Sequence, residues 1–254
     1  MGKIIVIANQ KGGVGKTTTA INLASSLSVM EKKILIVDID PQANASSGLG
    51  VDVANSKYTT YDVLLEKVSY KDAIIKTVMD YLDIIPSSPD LVGAEIEMVS
   101  MMSREGRLRK VLKKAKDEYD YIFLDCPPSL NLLTVNSFTA GDSVLIPIQC
   151  EYFALEGLTQ LLNTIRMIQK NLNPDLNLEG IVLTMYDSRL NLSRMVEEEV
   201  RKYFGDKVYK TVINRNVRLG EAPSYGEPII SFDLQSAGAK NYMQLAEEFL
   251  DGKE

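Results

Sequence analysis

KIIVIANQKGGVGKTTTA, residues 3–20, runs from an apolar strand-like segment through a glycine-rich turn into the start of a helix. This is the logic of a phosphate cradle. In the pattern G-x-x-x-x-G-K-[ST] the turn aims backbone N–H groups at phosphate oxygens, and the N-terminus of the following helix favours their charge. Gln10 stands where the pattern has its first glycine, so the match fails at that one position. What remains is Gly12, Gly13, Val14 and Gly15, followed by Lys16, Thr17 and Thr18. The glycines permit close backbone approach. Lys16 is placed to neutralise β- and γ-phosphates, and the Thr17 hydroxyl to ligate magnesium. A glycine-rich connector with no ligand is the competing reading; the strand before it and the helix after it weigh against that. Lys11 is a second lysine at the mouth of the turn, where a solvated surface lysine is the ordinary expectation.

Outward from this segment, strand-like runs are expected at 3–9, 33–38, 82–86, 121–125, 143–147, 179–184 and 208–213. Several are almost continuous Ile, Leu and Val, the mark of strands covered on both faces. Amphipathic stretches at 17–30, 106–118, 155–171 and 192–204 alternate with them. The alternation predicts an α/β fold, a mostly parallel twisted sheet with helices on both faces. No repeat, low-complexity tract or Pro/Gly/Ser linker interrupts the chain, so residues 1–254 are expected to form one domain. The least regular stretch, 40–61, begins beside a strand end, where such sheets bind ligands, and is expected to be a functional loop.

Composition narrows the function. The chain has a net charge of −6, no histidine, and two cysteines, Cys126 and Cys150. That argues against a zinc site or a disulfide framework and fits a reducing cytoplasm. No apolar run approaches the roughly 20 residues needed to span a bilayer. The acidic balance does not advertise a nucleic-acid binder, so any DNA contact has to come from a local basic patch.

Two further motifs sit at strand ends. VDIDPQ, residues 37–42, places Asp38 and Asp40 directly after the second apolar run. A carboxylate there can face a γ-phosphate, orient water or hold magnesium, and Pro41 turns the chain away from strand pairing. FLDCPPS, residues 123–129, again ends an apolar run in an aspartate, Asp125, placed to support magnesium directly or through water. Either aspartate alone reads equally well as a turn or cap residue. Two of them beside a phosphate cradle shift the balance to function. Without a histidine to activate it, Cys126 reads as a packing residue.

Together, KGGVGKTT (11–18), VDIDPQANASSGLG (37–50), LDCPPSL (124–130), PIQCEYFALEGL (147–158) and NRNVRLGEAPSYGEPI (214–229) resemble the ParA/Soj family of partition ATPases. The resemblance covers nearly the whole chain and is nearest to the short chromosomal type with a deviant Walker motif. It implies ATP and Mg²⁺ as ligands and an ATP-dependent homodimer closed over the nucleotides. Lys11 becomes the signature lysine that contacts nucleotide held by the facing subunit, a charge supplied in trans as by an arginine finger. Lys16 becomes the phosphate-binding lysine, Thr17 the magnesium ligand, Asp40 the hydrolysis residue and Asp125 the Walker B acid. The adenine-contacting segment falls on Asn214 to Arg218, with Asn214 where the family has proline, so Asn214 and Asn216 become candidate base contacts. A ParB-type stimulatory partner, sequence-indifferent binding of double-stranded DNA and a nucleoid-associated cytoplasmic location are further implications.

Alternatives inside the superfamily are a MinD-like positioning ATPase and a nucleotide-dependent switch that does not bind DNA. A MinD-like membrane regulator needs a basic amphipathic C-terminal helix, whereas residues 242–254 carry Glu247, Glu248, Asp251 and Glu254 against Lys253 alone. An iron–sulfur reductase needs clustered cysteine ligands, which Cys126 and Cys150 do not supply. For DNA, residues 187–218 hold eight basic residues against five acidic ones in an otherwise acidic chain. Within that segment Arg189 and Arg218 follow strands and lack sequence-adjacent carboxylates except Asp187, so they are expected to be freer than the rest to meet phosphate. The basic stretch 104–116 ranks second, as an exposed helix.

Overall fold

In the computed structural model, which describes residues 2–151 and 154–252, the strands form one eight-stranded sheet. They are β1 (Lys3–Ile7), β2 (Ile34–Asp38), β3 (Ile75–Lys76), β4 (Leu82–Ile85), β5 (Tyr121–Asp125), β6 (Ser143–Gln149), β7 (Asn177–Tyr186) and β8 (Val208–Asn214). Their order is β3-β4-β2-β5-β1-β6-β7-β8, and every pairing is parallel except that of the edge strand β3 with β4. Each predicted apolar run is a strand. β3 is the addition, two residues being too few to leave a hydrophobic pattern.

The helices are α1 (Lys16–Val29), α2 (Asn44–Gly48), α3 (Thr60–Leu64), α4 (Leu91–Met98), α5 (Arg107–Leu112), α6 (Leu132–Ala140), α7 (Ala154–Asn171), α8 (Asn191–Phe204), α9 (Val217–Glu221), α10 (Ile229–Phe232) and α11 (Ala237–Asp251). Residues of α1, α2 and α9 to α11 pack on one face of the sheet, those of α3 to α8 on the other. β1 shows why its sequence is a continuous apolar run. Ile4 and Val6 enter the α3–α8 core while Ile5 and Ile7 enter the α1–α11 core. Each fully buried side chain of this kind contributes about 1.5–3 kcal/mol. A one-residue slip swaps the two sets between faces already packed to fit, so the register is strongly specified.

Two expectations need correction. The helix expected over 106–118 ends at Leu112, and the chain tightens into a 3₁₀ turn at Ala115–Asp117 before entering β5. The stretch 40–61 is not irregular throughout: α2 follows Ala43, whose φ of 53° reverses the chain after Asp40. α11 occupies the acidic C-terminal stretch. Its Tyr242, Leu245, Ala246 and Phe249 are buried, and the helix lies against α1 and β8. Lys253 and Glu254 lie outside the described residues, as do Tyr152 and Phe153 of the 147–158 motif. Among the described residues no helix is long and apolar enough to cross a membrane.

The strand order sets the site. β1 lies between β5 and β6, and β2 pairs with the other side of β5. In register, Ile7 is opposite Asp125 and Asp125 opposite Asp38. Three motifs far apart in sequence thus end side by side at the carboxyl edge of the sheet, where parallel sheets bind ligands.

Candidate active site

β1 leads straight into the glycine-rich turn. Gly13 and Gly15 have φ of 72° and 86°, in the left-handed region that glycine enters without strain. A side chain on Gly12 or Gly13 would meet nothing within 4 Å, so the upper surface of the turn is bare backbone. Neighbouring strands hold it in place. Thr184 Oγ1 of β7 donates to the Val14 carbonyl at 2.8 Å, and Asn9 Nδ2 donates to the Pro147 carbonyl at 2.8 Å. The Val14 side chain is buried, so its contribution to a ligand is backbone alone. α1 starts at Lys16 without a side-chain cap, leaving its leading N–H groups to an anion. Lys16 Nζ donates to the Lys11 carbonyl at 3.2 Å. Burial lowers the Lys16 pKa from its ordinary value, against the pull of Asp125, Cys126 and Asp40.

Opposite the turn stand the aspartates. Thr17 Oγ1 donates to Asp125 Oδ2 at 2.7 Å, while Asp125 Oδ1 is buried without a partner. Burial, followed by the neighbouring Asp38, pushes the Asp125 carboxyl well above the usual carboxylate range. Asp38 is itself pushed up to about 6 by burial, although the Ser46 hydroxyl, the Ser46 N–H and the Asp40 N–H all donate to it. An orphaned carboxylate oxygen beside a threonine hydroxyl, where negative charge is penalised, is a setting that a divalent cation relieves. Thr17 and Asp125 therefore fit Mg²⁺.

A cleft of about 650 Å³ runs over the turn, and Gly12, Lys16, Thr17, Thr18 and Asp40 all line it. Asp40 Oδ1 accepts from the Gln42 N–H at 3.0 Å, and the side chain stays at the cleft. The far wall comes from α9 and the turn after it, through Leu219, Gly220, Ala222, Pro223 and Ser224. That wall is pinned by backbone contact: Gly226 approaches Gly50 so closely that a Cβ on it would lie 2.7 Å from the Gly50 Cα.

Other candidate residues lie differently from expectation. Asn214 and Asn216 do not line this cleft. The Asn214 N–H and Nδ2 both donate to Asn241 Oδ1 of α11, and Asn216 Oδ1 caps α9 by accepting from the Arg218 N–H. The part of the 214–229 motif that lines the cleft is Leu219, Gly220, Ala222, Pro223, Ser224 and Glu227. Lys11 is not a free lysine: its Nζ pairs with Glu151 Oε2 at 2.5 Å, and Gln149 Nε2 donates to Glu151 Oε1. Sequence gave no reason to single out Glu151.

The two arginines expected to be freer for phosphate are both paired. Arg189 is bonded twice to the Asp187 carboxylate, and Arg218 is bonded to Glu221 and Asp233 while lying over the Phe232 ring. The partners Glu221 and Asp233 lie three and fifteen residues ahead, beyond what adjacency in sequence reveals. Among the described residues of the segment, Arg194 and Arg215 have no carboxylate within ion-pair distance. Both are exposed near the same sheet edge.

Comparison with known proteins bears on this geometry. A family model described as an AAA domain matches residues 2–178. The sporulation initiation inhibitor protein Soj of Bacillus subtilis (strain 168) is 59% identical over 98% of this chain and 98% of its own length. The chromosome partitioning protein ParA of Myxococcus xanthus (strain DK1622) is 54% identical over 98% of this chain and 88% of its own. A crystal structure of cobyrinic acid a,c-diamide synthase from Mycobacterium smegmatis, with bound ADP and magnesium, superposes with a TM-score of 0.86. It is 35% identical and covers 98% of this chain and 94% of that one. A bare glycine turn carrying Lys11 and Lys16, closed by Thr17 and Asp125 and matched along the whole chain to these relatives, makes this protein a member of the ParA/Soj family.

Proposed function

We propose that this chain is an ATP-hydrolysing switch for DNA partitioning, working as a single domain over residues 1–254. The observation that carries this reading is one glycine turn with two lysines, of which Lys16 lines a cleft together with Asp40 while Lys11 stands at the mouth of the turn, paired with Glu151. The identity of 59% to a Soj protein, against 35% to a protein titled a synthase, favours partitioning over amide synthesis. The buried apolar face of α11 favours it over a MinD-like membrane role, since that face is spent in the core.

ATP lies on the turn with its β- and γ-phosphates on the backbone N–H groups and Lys16. Thr17 and Asp125 hold Mg²⁺, which, when bound, screens the phosphate charge. Asp40 orients a water whose oxygen bonds to the γ-phosphorus as the bond to the bridging oxygen breaks. ADP leaves with that oxygen, and the water proton passes to the phosphate product or solvent. A loose phosphoryl transition state needs positioning and charge more than a strong base. Two subunits close face to face over the nucleotides, and Lys11 leaves Glu151 for the phosphates of the facing subunit. That exchange is cheap, because an ion pair this exposed is worth about 0–1 kcal/mol. Loss of the γ-phosphate loosens the dimer and resets the switch.

Lys11→Ala should bind ATP and remain a monomer in light scattering with ATP and magnesium. A variant that dimerises as well as the parent would remove the trans role of Lys11.

DNA and a ParB-type protein are the partners in this reading, with the nucleoid as the place of action. The DNA surface is the edge carrying Arg189, Arg194, Arg215 and Arg218. Each subunit offers few charges, so pairing two such edges in the ATP dimer raises the contact number and the affinity. Phosphate has to compete with Asp187, Glu221 and Asp233 for the arginines, which weakens binding, and each phosphate contact made releases counterions, which makes it salt-sensitive. The combined Arg189→Glu and Arg218→Glu variant should lower the slope of log affinity against log salt by about 3–4, from up to four lost contacts per dimer. Gel-shift titration at several salt concentrations reads it, and an unchanged slope moves the DNA surface elsewhere. ATPase assays with DNA and a ParB-type protein, added separately and together, test the reading as a whole. A rate that neither partner raises would favour the switch that does not act on DNA.

A further inference from the structure

We infer that Ser87 and Ser46 are positioning residues for the hydrolytic step, closing a buried ring of hydrogen bonds that fixes the backbone of Asp40 on both sides. The inference rests on the water-orienting role proposed for Asp40.

The ring is complete in the structure. The Asp40 N–H donates to Asp38 Oδ1 at 3.2 Å. Asp38 Oδ2 accepts from Ser46 Oγ at 2.6 Å and from the Ser46 N–H at 2.9 Å. Ser46 Oγ in turn accepts from the Ser87 N–H at 3.0 Å, and Ser87 Oγ donates to the Asp40 carbonyl at 2.6 Å. Asp38, Ser46 and Ser87 are fully buried, and Asp40 is 8% exposed. Its members come from three places: the end of β2, helix α2, and the segment just after β4. Asp40 lies on none of these rigid elements. It sits between β2 and α2, held at its N–H by one strand end and at its carbonyl by another.

This arrangement is more than generic polar satisfaction. The Asp40 carbonyl already accepts from the Ala43 N–H at 2.9 Å, so the Ser87 hydroxyl is not needed to satisfy it. What Ser87 adds is a tie from the Asp40 peptide to β4, which is hydrogen-bonded to β2. Of the Asp40 carboxylate, Oδ1 is fixed by the Gln42 N–H while Oδ2 is left to a water. A carboxylate whose peptide units are clamped on both sides presents that oxygen in one place, and displacements near 1 Å at a reacting centre cost about a hundredfold in rate.

Single-turnover hydrolysis and fluorescent-ATP titration separate positioning from folding. Ser87→Ala should bind ATP within about twofold of the parent while turnover falls roughly tenfold to a hundredfold. Ser87→Thr, which keeps the hydroxyl, should recover most of that loss. Ser25→Ala is the comparator, removing an equally buried hydroxyl that donates to the Ile21 carbonyl of its own helix. It should leave turnover unchanged. If Ser87→Ala does not fold, Ser87→Cys, a weak donor of similar size, carries the same expectation. Parental turnover in Ser87→Ala beside an inactive Asp40→Ala overturns this inference alone. Parental turnover in Asp40→Ala defeats the role of Asp40 itself and the inference with it. Affinity and turnover falling together, without rescue by threonine, would make Ser87 a fold residue only.

Discussion

Lys16→Ala should bind ATP at least about thirtyfold more weakly than the parent, because truncating one side of a buried, hydrogen-bonded charge pair costs about 2–5 kcal/mol. Backbone N–H groups share the phosphate charge, but Lys16 is the buried cation whose side chain lines the floor of the cleft. The loss is separable from unfolding. Burial lowers the Lys16 pKa, so the unfolded state holds its proton more tightly than the folded one. The folded state is therefore penalised at pH values below the lowered folded pKa, and the penalty fades as pH rises through it toward 10.5. Removing the lysine should thus leave the ligand-free melting temperature unchanged or raised. Titration with a fluorescent ATP analogue reads the binding, and parental affinity in the variant would take Lys16 out of the site.

Asp40→Ala should separate binding from hydrolysis. The glycine turn, Lys16, Thr17 and Asp125 all remain, so ATP and magnesium are still held. The water loses its orienting carboxylate, and turnover should fall by about 10²-fold or more, the scale of a misplaced or missing positioning group. The ATP-bound dimer should then persist on size-exclusion chromatography, where the parent relaxes to monomer as ATP is spent. It should also stay on DNA longer than the parent. Normal hydrolysis by this variant would reduce Asp40 to a turn residue, and the ring around it to scaffolding.

These two residues differ in how they could be read. Lys16 follows from a local pattern, since the turn, the lysine and the helix N-terminus are contiguous. Thr17 is just as legible. Asp40 and Asp125 were legible as strand-end aspartates, but their pairing with the turn depended on β1, β2 and β5 lying side by side. Glu151, Ser46 and Ser87 left no signal. A glutamate or serine in a loop is ordinary, and each acquires a role only through a partner 140, 8 or 47 residues away. The arginines show the reverse failure. Arg218 looked unopposed because neither partner is sequence-adjacent: Glu221 lies one turn on in α9, and Asp233 enters from beyond the following turn.

The fold class, seven of the eight strands and the residues of the cradle are legible along the chain alone. Those depend on hydrophobic period and on glycine, lysine and threonine at contiguous positions, all local properties of the chain. Contacts at long range settle which cations are already paired, which residues of the 214–229 motif line the cleft, and how Asp40 is held. Each of these is a contact between side chains or backbone groups made adjacent by strand order, and strand order is set by the packing of two cores on one sheet, not by any single stretch of sequence.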